Sequence, residues 1–259
     1  MRESVGRVMS SRWPLLVCLM VCALSAQPAR AEPEKPKIVC RAALTEARRA
    51  VLSTQLRSIT GWEGLHFDGE GVLRFGAVQP SGGSPSARAL LASAQAGKNL
   101  LILEDASGHP DVAFSRVLEG RWKDGSEGRP PAYVIQIDFT DFSHVRGDGA
   151  ALAAFNAAWG LLHEIEHAVK DSTDAEGPGK AGECEEAINR MRRECGLAER
   201  AEYFYTPLPG DGSGDFKTRY VRLAFKDERA ASHKPRRYWL YWDAALTGGA
   251  PGGDQVASR

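Results

Sequence analysis

Residues 161–170 read "LLHEIEHAVK", with His163 and His167 four positions apart and Glu164 directly after the first. This spacing constrains the chain more than any other feature. On an α-helix, residues four apart lie on one face with Cβ atoms about 5–6 Å from each other, so both imidazoles can turn a ring nitrogen to one cation. Glu164 sits one position round, where its carboxylate can reach a water on that cation without binding the cation itself. The surrounding stretch "GDGAALAAFNAAWGLLHEIEHAVKD" (147–171) is filled with good helix formers. A helix is predicted from a start at Asp148 or a neighbouring glycine to about Lys170, burying the apolar face of Phe155, Trp159, Leu162 and Val169.

Two histidines are not a complete site. A catalytic zinc ion takes three protein ligands and leaves a fourth position to water. Position 170 is Lys rather than Gly, and no histidine follows His167 until His233, so the third ligand is expected to be a carboxylate. Asp171 and Asp174 reach the pair only if the chain folds back sharply. The stretch "ECEEAINRMRRECGL" (183–197) reads as a second helix stopping near Gly196. Glu183 and Glu186 are three apart and share a face, so a second helix packed across the first would present one of them to the zinc; the sequence does not separate the two. Whichever of the two is left over reads as a solvated helix charge, in a segment that also carries Arg190, Arg192 and Arg193.

The rest of the chain predicts one mixed α+β domain over 32–259. "KNLLILED" (98–105) and "AYVIQIDFTDF" (132–142) are strand candidates, and 218–227 with 236–246 form a predicted β-hairpin. Residues 38–59 show helical spacing, and "QPSGGSPSARA" (79–89) reads as a surface loop. Lys plus Arg and Asp plus Glu both number 33, which argues against a nucleic-acid or membrane-surface partner. Residues 1–31 have the form of a cleavable secretory signal: Arg2, Arg7 and Arg12 precede the apolar "WPLLVCLMVCALSA", and "QPARA" follows. The expected location is secreted or periplasmic, with no membrane contact after removal of the signal. Cys40, Cys184 and Cys195 then remain. Cys184 and Cys195 on one helix would be about 16 Å apart, so any disulfide is expected to involve Cys40.

"NRMRRECGLAERAEY" (189–203), following the histidine motif, resembles the zinc metallopeptidase family typified by the bacterial type III effector protease NleD. The likeness covers about residues 155–205 and rests on Asn189, Arg192, Glu194, Gly196, Leu197, Arg200 and Tyr203; Ala198 stands where that family has proline. It implies a zincin-like fold and zinc-dependent hydrolysis of a protein or peptide, with Glu164 as general base. It also implies that Arg200 and Tyr203 lie near the site, the Tyr203 hydroxyl serving the oxyanion of the tetrahedral intermediate. The alternative from another class is an exported binding or structural protein whose metal is closed by four protein ligands.

Overall fold

The computed structural model describes residues 37–120, 131–208, 220–228 and 235–248, all within the compact unit Pro36–Arg259. The expected signal segment, with Cys18 and Cys22, lies outside the described residues, as does His233. In chain order the elements begin with β1 (Ile38–Cys40), α1 (Glu46–Thr60), β2 (His66–Phe67), β3 (Leu73–Arg74), α2 (Pro85–Ala96), β4 (Leu100–Asp105), β5 (Ser115–Gly120) and β6 (Ala132–Ile137). They continue with α3 (Phe139–His144), β7 (Arg146–Gly147), α4 (Gly149–Ala153), α5 (Ala157–Lys170), α6 (Glu183–Glu194), β8 (Glu199–Arg200), β9 (Thr206–Pro207), β10 (Tyr220–Asp227) and β11 (Arg236–Asp243). The class is α+β, and none of the described helices is long and apolar enough to cross a membrane.

One sheet has the order β1-β4-β6-β5, the first three strands parallel and β5 antiparallel on the edge. Leu101, Leu103, Ile135 and Ile137 of this sheet pack into a shared core with Leu52 and Leu56 of α1, Leu91 of α2, Trp159 and Leu162 of α5, and Ile188 of α6. Burying each such side chain contributes about 1.5–3 kcal/mol, and this is what fixes α5 against the sheet. The second sheet runs β7-β11-β10-β8, with β9 also on β10. The predicted hairpin is its centre, Tyr220–Asp227 pairing antiparallel with Arg236–Asp243. Leu223, Phe225, Leu240 and Trp242 cover a smaller core with Ala151.

Three local expectations change. Ile38–Cys40 is a strand rather than the start of a helix, because it pairs in parallel with Leu101–Leu103. The 79–89 segment starts a helix: Ser84 accepts from the Ala87 N–H and Pro85 takes the first turn, where a missing N–H costs nothing. The long helix predicted from Asp148 is two pieces, since the Asn156 side chain accepts from Ala158 N and Trp159 N and caps a new helix there.

Candidate metal centre

Helix α5 presents His163 and His167 as the spacing requires, His163 buried and His167 half-buried. The Nε2 atoms lie 3.1 Å apart. The carboxylate that joins them is Asp174: its Oδ1 stands 3.1 Å from His163 Nε2 and 3.4 Å from His167 Nε2. Glu183 and Glu186 do not take this place. Both are exposed, and Glu183 accepts instead from the backbone N–H and hydroxyl of Thr173.

The sharp fold-back that Asp174 requires is built into the loop between α5 and α6. Asp171 ends α5 in the left-handed region, at φ 56°, and returns its N–H to the His167 carbonyl. Eleven residues on, Gly182 forms an antiparallel bridge with Asp174, and Cys184 N donates to Thr173 O at 3.1 Å. Gly182 has φ 84°, and a Cβ there would meet Ala175 N at 2.3 Å, so only glycine closes this clasp. The clasp also delivers Cys184. His163, His167, Asp174 and Cys184 each offer a ligand atom within 4.8 Å of the others, and the group can hold a metal ion.

The geometry fits that reading. Ligand atoms about 2.0–2.1 Å from a tetrahedral ion are separated by about 3.3 Å, close to the spacing of the three atoms here. His167 Nδ1 lies 2.7 Å from Ser172 O, a hydrogen bond only if Nδ1 carries the proton, which in the neutral ring leaves the Nε2 lone pair turned to the centre. His163 Nδ1 likewise faces Glu185 Oε2 at 3.4 Å. Asp174 Oδ1 is buried without a hydrogen-bond partner. A buried carboxylate oxygen between two ring nitrogens calls for positive charge. The same demand appears in the proton affinities: burial lowers that of His167, but Asp174 and Cys184 outweigh it and push the imidazole up to about 10. Burial raises Asp174, yet the pull of the two neighbouring histidines holds its carboxyl well below the usual carboxylate range.

Glu164 is buried beside this group and accepts a hydrogen bond from Ser115 Oγ at 2.8 Å. Burial raises its carboxyl above the ordinary value, against the pull of both histidines and Ser115. Ser115 opens the edge strand β5 and follows Phe114, a non-glycine residue at φ 64°. That conformation is clamped by Asp141 Oδ2, which accepts from Phe114 N, and by Asp138 N, which donates to Phe114 O. Gly160, one turn before Glu164, lets β5 come close: a Cβ there would lie 3.0 Å from Ser115 Oγ and from the Phe142 ring. A cavity of about 120 Å³ opens on this side, reaching Ser115, His163 and Glu164 between the rings of Phe114, Phe155 and Trp242. A larger, shallower depression of about 450 Å³ between Trp62, Phe75 and Arg88 does not include the imidazoles.

Glu185, between Glu183 and Glu186 on α6, is the carboxylate that the spacing does not single out. It is buried and bonded to Arg192 and Arg200 as well as facing His163. Arg192 in turn bonds Asn189 Oδ1 and Ala154 O, and Asn189 clamps the Arg200 backbone through both its N–H and its carbonyl. Burial raises Glu185, but the two guanidiniums and His163 hold it far down, so it stays an anion that orients the His163 ring. Tyr203 lies at the site: its ring stacks on His163, and its hydroxyl donates to Asp174 Oδ2 at 2.8 Å. Arg200 reaches the site through Glu185. The three described cysteines are free thiols. No protein family, curated protein or solved structure matches this chain.

Proposed function

We propose that the protein is an exported zinc-dependent peptidase of zincin-like design, with zinc held by His163, His167 and Asp174. The observation that carries this reading is the position of Glu164, buried next to the ligand triangle and facing the cavity that reaches His163. Bound zinc supplies a water of lowered pKa and polarises the scissile carbonyl. With the ion bound, Glu164 would take a proton from the attacking water and return it to the leaving amine, and Ser115 holds its carboxylate in place for this. Burial, which raises its proton affinity, suits a group that must both accept and return a proton near neutrality. Strand β5 supports a peptide substrate: among the described residues it pairs only with β6, and its free edge runs past Ser115, where an extended chain can add as another strand. Tyr203 steadies Asp174 in the resting arrangement, and serves an oxyanion only once its hydroxyl leaves that carboxylate. Export rests on residues 1–31 alone.

The test is Glu164→Gln. Zinc content and fold should match the parent, and peptide hydrolysis should fall by roughly 10²–10⁴-fold. A variant that cleaves as fast as the parent contradicts the proposal. A second reading, a structural site closed by four protein ligands, is favoured by Cys184 as the fourth member of the group. It predicts zinc without hydrolysis in the parent as well.

A further inference from the structure

We infer that Cys184 is the fourth ligand in the resting protein, so that the ion is held by two imidazoles, one carboxylate and one thiolate. This rests on the reading that the group binds a transition metal. Cys184 is fully buried and its Sγ is one of the four atoms gathered within 4.8 Å. It is the second residue of α6, so the start of that helix fixes its position beside His163. The clasp that turns Asp174 toward the histidines positions the sulfur too, because Cys184 N is tied to Thr173 O and Gly182 to Asp174. The other free cysteines do not compete for it: Cys195 donates to Ile59 O, and Cys40 lies at β1 beside Gly71.

Without the ion, the Cys184 thiol donates to His163 O at 3.4 Å. Sulfur about 2.3 Å from an ion would sit about 3.6 Å from the imidazole nitrogens, and the four ligand atoms already lie within 4.8 Å of one another. Thiolate also makes the group a zinc or cobalt site rather than a calcium or magnesium one. The consequence for the proposed reaction is direct: the corner that water needs is filled, and hydrolysis begins only when the Cys184 sulfur leaves it.

X-ray absorption at the zinc edge of the purified full chain tests this. One sulfur at about 2.3 Å among lighter ligands is expected. In the cobalt-substituted protein the same bond should give a near-ultraviolet sulfur-to-metal charge-transfer band, lost in Cys184→Ser while the visible ligand-field bands persist. A zinc shell of nitrogen and oxygen only, or a charge-transfer band that survives Cys184→Ser, overturns the inference while leaving a metal on His163, His167 and Asp174. A parent chain that takes up neither zinc nor cobalt fails the metal reading itself. Should Cys184→Ser not fold, the zinc-edge spectrum of the parent alone decides.

Discussion

The Nε2 atoms of His163 and His167 face one another at 3.1 Å. At least one of these rings directs its proton outward, to the Ser172 carbonyl. Two nitrogens held this way repel unless a cation, or a shared proton, stands between them, and Asp174 Oδ1 completes the triangle.

Asp174→Asn keeps the shape of the side chain and removes its charge. Loss of a supporting residue around a metal site typically costs 10–100-fold in affinity, so loss of a direct ligand should weaken zinc binding by more than about 100-fold. Competition with a chromophoric chelator measures this, and an unchanged affinity would remove Asp174 from the ligand set.

Gly182→Ala probes the clasp. The backbone at φ 84° and the Ala175 nitrogen 2.3 Å from the added carbon leave no room for a methyl group. The metal-free protein should lose about 1–3 kcal/mol in urea unfolding, and zinc should bind more weakly because Asp174 and Cys184 are both displaced.

Glu185→Ala leaves the buried guanidinium of Arg192 without its carboxylate and frees Arg200 from the same partner. Breaking a buried pair of this kind costs about 3–5 kcal/mol. Glu185→Gln, which still accepts hydrogen bonds, should cost less. Equal losses in the two variants would mean that the hydrogen bonds a neutral side chain keeps count for nothing and that charge alone is what Glu185 contributes.

Much of this arrangement was legible in the sequence, and what was missed has particular physical causes. The 163–167 spacing placed both imidazoles because a helix fixes that geometry locally. The hairpin at β10 and β11 was readable for the same reason, from its alternation. Asp174 is hard to read from the sequence because its fold-back depends on Asp171 and Gly182 adopting positive φ, which loop composition alone does not reveal. Glu183 and Glu186 were paired by their spacing, but Cys184, Ile188 and Met191 mark the inward face of α6, and Glu185, Asn189 and Arg192 border it. That buried period of three and four is the signal that points to Glu185. Asn156 likewise falls inside the helix that the run of helix formers predicts, although its side chain makes it a strong cap.

Stability should depend on pH at the start of α2. Glu194 accepts from the Ser84 and Ser86 hydroxyls and from Ser86 N. Its slight burial raises the carboxyl, but these bonds prevail and set it below its ordinary 4.5. Its ionised form is therefore favoured by folding, and the contribution is complete above the unfolded value and lost as pH falls through the folded one. After allowance for solvent screening, Glu194→Gln should cost about 0.5–1 kcal/mol at neutral pH and nearly nothing in more acidic solution. A difference that persists unchanged into acid would contradict this.

The most direct test of the account is the zinc content of the chain after equilibrium dialysis against buffered zinc at neutral pH, in the parent and in His163→Ala. The parent should retain about one ion per chain, and the variant essentially none. A folded parent that retains no zinc, or a variant that retains as much as the parent, would contradict it.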